Sequence, residues 1–400
     1  MCKKYNNVNG NLVCENVCTA TSREMALVNL SKAEIEHRQR THGGSVGSER
    51  VVELVHAPRK MPDNRVPVYY KGGDGIDRFR VEPGGFGGPE DWVGSLTRLP
   101  ESMLGADVSR DTGVSMTVES ESLRDLVDRD PHGWLGRNLF ERSGGESGLL
   151  VKILDAGERL PVHCHPTRSF AARNLESVFG KTEGWIIMDA TPGAKVWLGL
   201  REDIDRATLR RWIEGHDVAA MLSAMNEFEV ERGQVYFVKA GLPHSIGPGV
   251  TLTELQEPTS FSVLAEYENF GVTEDQATLG LGWEVALSCF DLGGYRGDRI
   301  SELVPARVES SRQSGGTVFD LFPPEASTFF SARLVKCSDR VELDQPSFAV
   351  LVVTQGSGQL GWDGGSEPVQ RGETWVVPFG AGPLSFTGTV EALVCLPPEA

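Results

Sequence analysis

The chain has 400 residues, a formal net charge of −17, 46 Gly and 22 Pro. That length suggests two or three domains, and the Gly and Pro content beside an apolar fraction of 40% favours a turn-rich β protein over a helical bundle. The acidic balance argues against nucleic acid or an anionic membrane surface as the main partner, and leaves room for an anionic small molecule in a local basic pocket.

Residues 1–60 read as a polar extension with short periodic runs only, and the stretch from Thr41 to Ser48 reads as a linker. The seven Cys are scattered and odd in number, a poor disulfide framework that fits a reducing compartment and hence the cytoplasm. Cys2, Cys14 and Cys18 lack a second pair, so free thiols are preferred to a zinc site. His37, His42 and His56 have no partner at metal-like spacing. No apolar run approaches the roughly 20 residues of a membrane span, and the N-terminus lacks the apolar stretch of a secretory signal.

Order is expected from Val66. Pro83 to Pro89 lacks the Gly-Lys-Ser/Thr ending of a phosphate loop, so its glycines read as turn residues. Ser120 or Ser122 should cap a short helix, and Asp130-Pro-His-Gly-Trp should turn. Strands are expected at Leu149–Asp155, Pro161–His165, Glu183–Asp189 and Ala194–Gly199. Residues 203–226 switch to a helical period and read as two helices inserted between strands. Strands resume at Glu227–Val230; the segment from Gly233 to His244 places His244 at a strand-to-turn junction, and Thr251–Glu257 and Ser260–Tyr267 follow. A mixed segment covers roughly 272–325. The last block, 326–400, is strand-rich with short turn intervals, which argues for a β sandwich or barrel, and it contains no His.

The chemistry concentrates at Gly157–Glu183. His163 and His165 are two apart, so on a strand both imidazoles point the same way. Glu183 offers an anionic oxygen, and His244 is the only His after position 216. Three neutral nitrogens and one carboxylate suit a divalent transition metal such as Zn²⁺, Fe²⁺ or Mn²⁺.

Gly157, five residues, His163, one residue, His165 resembles the first signature of the cupin superfamily. Gly233, five residues, Lys239, one residue, Gly241, two residues, His244 resembles the second, with Lys239 where Pro is usual. The resemblance implies a mainly β bicupin: a metal-binding cupin domain over 61–325 and a metal-free cupin-like barrel over 326–400. More narrowly, His163-Cys-His-Pro, Lys181-Thr-Glu, Gly241-Leu-Pro-His and Glu254-Leu-Gln-Glu resemble the motifs of class I mannose-6-phosphate isomerases.

That resemblance implies one divalent metal, Zn²⁺ first, on His163, His165, Glu183 and His244. It also implies that Lys181 touches the substrate, that Arg168 takes the place of a phosphate-binding lysine, and that the substrate is a small carbohydrate. Glu254 is a candidate base and Lys239 a candidate anion contact. Three departures stand out: His163 replaces a family Gln, Ser262 stands where the family has Arg, and Gly180 stands where many members have His. A three-His, one-Glu set is used by other cupins for iron or manganese oxidation chemistry. Two functions therefore stay open: an aldose–ketose isomerase, and a sugar- or metabolite-binding cupin or iron oxygenase.

Overall fold

A computed structural model describes residues 5–6, 12–13, 56–81, 87–100, 109–344 and 346–399. The chain divides into two compact units, Met1–Leu54 and Val55–Ala400. In the first, strands Tyr5–Asn6 and Leu12–Val13 pair antiparallel. The expected linker, the periodic runs of the extension, its three cysteines, His37, His42 and most of the glycine-rich loop lie outside the described residues.

The second unit is mainly β, as expected. Its six-stranded sheet runs in the order Val235–Val238, Glu183–Ala190, Val250–Gln256, Leu150–Ala156, Glu90–Val93, Arg65–Val66. A five-stranded sheet runs Met225–Glu229, Lys195–Leu200, His244–Ile246, His163–Cys164, Val263–Leu264. Leu154, Trp185 and Leu252 of the first sheet pack against Val196, Leu198 and Ile246 of the second. Val151, Ile153 and Leu255 point to the other face, onto Val350, Val352 and Leu393 of a nine-stranded sheet. The six-stranded sheet is thus a middle layer, buried on both faces. This explains why Leu150–Ala156 is buried at every position and reads as a continuous apolar run rather than an alternating one.

Several boundaries differ from the sequence reading for identifiable reasons. Arg59–Met61 pairs with the strand Thr374–Val377, so order starts before Val66. The hairpin Val308–Gln313/Gly316–Asp320 joins the nine-stranded sheet from inside the mixed segment. Val308–Gln313 is largely exposed and polar, so it lacks the apolar alternation that marks a half-buried strand. Asp130-Pro-His-Gly-Trp is a short helix rather than a turn: the Asp130 carboxylate accepts the Gly133 N–H, and Pro131 occupies the first helical position. The two inserted helices run Arg206–Glu214 and Val218–Ala224, capped by Asp205 and Asp217. Ser122, not Ser120, caps Leu123–Arg129. No helix among the described residues is long and apolar enough to cross a membrane.

Candidate metal centre

The site forms between the six- and five-stranded sheets. His163 and His244 are direct cross-strand partners in the five-stranded sheet. Glu183 opens a strand of the six-stranded sheet, and Glu254 lies on the strand beside it. Gly241 links the two motif halves: its N–H donates to the His165 carbonyl at 2.7 Å. Its φ of +95° is one that a side chain disfavours, so glycine suits this corner just before His244.

His163, His165 and His244 are all buried, and their ligand atoms lie within 4.8 Å of one another. Each ring is oriented the same way. His163 Nδ1 lies 2.8 Å from the Pro161 carbonyl, His165 Nδ1 2.8 Å from that of Phe261, and His244 Nδ1 2.8 Å from that of Leu242. A carbonyl only accepts, so Nδ1 carries the proton and Nε2 presents a lone pair, the arrangement that fixes metal-binding histidines. Burial pushes all three pKa values well below the ordinary range, with neighbouring histidines and Lys181 adding to the effect, so the rings are neutral.

Around these lone pairs sits negative charge. Glu183 Oε2 lies 3.1 Å from His165 Nε2, and Oε1 lies 3.3 Å from His244 Nε2. Trp185 Nε1 donates to Oε1 at 3.1 Å. Glu183 Oε2 and His244 Nε2 are buried without a hydrogen-bond partner. His244 Nε2 in particular faces Glu183 Oε1 with no proton between them, and such a pair is costly to bury. A cation bridging them removes the cost, so the donor set fits a divalent metal.

Lys181 belongs to the same cluster. Its ammonium lies 3.0 Å from His165 Nε2 and 3.3 Å from Glu183 Oε2. Glu254 lines the same cavity, of about 40 Å³, with Tyr69, Lys152 and Ser262. Burial and the charge of Glu183 raise the Glu254 pKa despite the pull of Lys152 and Lys181.

The sequence reading missed the support behind this cavity. Buried Lys152 lies 3.1 Å from Glu90 and 3.3 Å from Glu254, with its ammonium over the Trp92 ring. Burial opposes its charge, but the two carboxylates outweigh it and hold the pKa above the usual lysine range. Glu90 also accepts from the Tyr70 hydroxyl and from Trp92 Nε1, each at 2.8 Å. The available signal was a lysine in the middle of an apolar strand run, which is rarely buried without a partner.

Arg168 and Lys239 are not in this cavity. They line a second, open cleft of about 390 Å³ with Thr182, Phe237 and Phe329. Extended backbone alternates its side chains, so Thr182 faces that cleft while Lys181 and Glu183 face the metal cavity. Arg168 lies 2.5 Å from fully buried Glu257, and Lys239 lies 3.1 Å from Glu302. His56 pairs with Asp130 at 2.6 Å, away from any metal cluster.

Residues 322–397 match the family model described as mannose-6-phosphate isomerase, cupin domain. A mannose-6-phosphate isomerase from Streptococcus mutans is 34% identical over 122 residues, 30% of this chain and 37% of that protein, so this match spans little more than a third of the relative. Mannose-6-phosphate isomerase ManA from Bacillus subtilis is 25% identical over 263 residues, 64% of this chain and 78% of that protein. The crystal structure of a Bacillus subtilis mannose 6-phosphate isomerase superposes with a TM-score of 0.65 at 20% identity, covering 85% of this chain and 99% of that one. A mannose 6-phosphate isomerase bound with zinc and yttrium gives 0.63 at 15% identity, covering 86% and 100%. These structures establish a shared fold.

Proposed function

We propose that this cupin, which resembles mannose-6-phosphate isomerases in fold and in sequence, is a metal-dependent aldose–ketose isomerase acting on a sugar phosphate, mannose 6-phosphate and fructose 6-phosphate first. The observation that carries the reading is the cluster of three neutral imidazoles aimed at one point beside Glu183, with Lys181 and Glu254 facing the same cavity. The metal, for which zinc is the first candidate, would be held by His163, His165, Glu183 and His244. When bound it supplies a Lewis acid for the carbonyl and hydroxyl oxygens of the sugar.

The reaction moves a proton between C1 and C2 through an enediol, so it needs a base and a stabiliser of developing negative charge. Glu254 is the proposed base. Its raised pKa brings it nearer neutrality, where a carboxylate accepts and returns a proton more readily. Lys181 is the proposed partner for the oxygen that gains charge. Lys152 is a positioning residue that holds Glu254 from behind. A volume of about 40 Å³ accommodates an ion and roughly one water, so a hexose phosphate enters only if lining residues such as Tyr69 and Leu99 give way. Arg168 and Lys239 are already neutralised by carboxylates in another cleft, and we assign them a structural rather than a phosphate-binding role. The described cysteines, Cys164, Cys289, Cys337 and Cys395, are free and buried, which suits the cytoplasm.

The test is a substrate screen on metal-reconstituted protein: aldose and ketose phosphates beside the unphosphorylated sugars, with oxygen uptake followed in parallel. Interconversion of mannose 6-phosphate that is lost in Lys181→Ala and Glu254→Gln supports the proposal. Iron-dependent oxygen uptake without isomerisation would overturn it in favour of the oxygenase reading that the three-His, one-Glu set also fits.

A further inference from the structure

Away from the metal centre, a cleft of about 210 Å³ opens where the six-stranded sheet, the helix Gly75–Phe79 and the nine-stranded sheet meet. Three arginines from three separate segments line it: Arg78 on the helix, Arg232 in the turn before Val235, and Arg371 in the turn before Thr374. Asp189 is the sole carboxylate in the lining, and Thr251 and Thr354 contribute hydroxyl-bearing side chains. The lining itself sets three guanidiniums against one carboxylate, with Asp74 and Glu391 behind Arg78 and Arg232, on a chain whose formal net charge is −17.

The three arginines differ in how far their charge is already met. Arg78 is paired with Asp74 at 2.9 Å and approaches Asp189 at 3.6 Å. Arg232 reaches a carboxylate, Glu391, only at 3.8 Å, and otherwise donates to the Thr354 carbonyl at 3.3 Å. Arg371 makes no ion pair among the described residues; its guanidinium donates to the Arg78 carbonyl at 3.4 and 3.5 Å and sits over the Phe79 ring. Two guanidiniums with partly or wholly unmet charge beside a third offer several N–H donors to one anion. Guanidinium forks of this kind suit the oxygens of a phosphate group.

We propose that this cleft is a second binding site, separate from the metal cavity, for a phosphate dianion. The ligand is inorganic phosphate or the phosphate monoester of a small metabolite. Arg78 and Arg232 belong to the layer around the six-stranded sheet and Arg371 to the nine-stranded sheet, so a bound anion ties the two together. Occupancy therefore raises thermal stability by linkage.

Calorimetric titration and thermal melting with inorganic phosphate, phosphoenolpyruvate, and sodium chloride at matched ionic strength test the site. The expected result is saturable phosphate binding and a rise in Tm, both absent with chloride. In Arg232→Gln/Arg371→Gln the affinity falls about tenfold or more, while turnover at the metal centre and the circular dichroism spectrum stay as in wild type. Tighter binding of phosphoenolpyruvate than of phosphate identifies the ligand as a metabolite ester, and the reverse order identifies it as free phosphate. Either order requires the arginines. The single variant Arg371→Gln should weaken binding without loss of fold, because the side chain lies at the exposed surface. Phosphate binding that survives both substitutions, equals chloride, or is undetectable at tens of millimolar would overturn the proposal.

Discussion

Lys152→Met removes the one ammonium that serves both Glu90 and Glu254 while keeping a side chain of similar length. All three residues are buried, with relative exposures of 4% for Lys152, 6% for Glu90 and 3% for Glu254. Deleting one partner of a buried ionic cluster leaves uncompensated charge and costs about 3–5 kcal/mol. For the unit Val55–Ala400, that loss corresponds to a fall in Tm of roughly 4–7 °C, from an unfolding entropy of about 2 cal/mol/K per residue. The loss should also depend on pH. Glu254 already has a folded pKa above its unfolded value of 4.5. A carboxylate raised in this way supports the fold below the unfolded value and loses that support as pH rises. Without Lys152 the folded pKa climbs further, so the deficit grows from about pH 4.5 upward and is larger near pH 8 than near pH 5. Melting curves of both proteins at the two pH values measure it. A fall below about 1 °C, or the same fall at both pH values, would refute the reasoning. So would a Lys152→Met/Glu254→Gln double variant that is less stable than the single one.

Glu183→Gln and His244→Ala should each lower bound divalent metal at least tenfold by elemental analysis after equilibration, with the fold retained by circular dichroism. In the metal-free protein, the three depressed histidine pKa values predict a stability that is full above the unfolded value of 6.5 and falls as pH drops below it, since the unfolded chain then binds more protons. Melting in chelator from about pH 8 to pH 5 reads this directly, and a flat profile would contradict it. Arg168→Gln leaves fully buried Glu257 with the Thr182 N–H as its remaining donor, and should cost about 1–2 kcal/mol after allowance for the partly exposed arginine. Its kcat/KM should stay within about threefold of wild type. A tenfold rise in KM with unchanged Tm would return Arg168 to the phosphate.

The clustering of His163, His165 and His244 was legible because ligand spacing is a local property. Two histidines two residues apart, and a glycine three before a third, are written in the chain whatever surrounds them. Glu90, Lys152 and Tyr70 were not legible, because their relation exists only once strands Glu90–Val93, Leu150–Ala156 and Val250–Gln256 are laid side by side. The same limit hid that Arg168 and Lys239 line a different cleft from the histidines. Both are near the motifs in sequence, but Arg168 lies on the helix Arg168–Asn174, and Lys239 follows a strand whose far side faces Glu302. Proximity in sequence gave the neighbourhood, and the direction of the side chain decided the cavity. Ser262 is the converse case. It stands where the resemblance leads one to expect an arginine, yet it reaches the centre, with its hydroxyl 3.3 Å from His165 Nδ1.

The charge carried by the cavity bears on how the proposed metal would favour the proposed phosphorylated substrate. Glu90, Glu183 and Glu254 face Lys152 and Lys181, and the imidazoles are neutral. With the carboxylates ionised, the lining is one charge negative, inside a protein whose overall balance is also strongly negative. A phosphorylated substrate approaching that interior meets repulsion strengthened by the low dielectric of a buried site. A divalent ion held by the three imidazoles and Glu183 would reverse the sign to one positive charge. Loading should therefore tighten the binding of a phosphorylated sugar far more than that of its neutral parent sugar. Titration of metal-free and metal-loaded Glu254→Gln, in which turnover is suppressed and the lining goes from neutral to two positive charges on loading, with mannose 6-phosphate and with mannose measures the two effects separately. Equal gains for both sugars would mean that the metal acts on the hydroxyls alone and that the charge of the cavity plays no part in substrate choice.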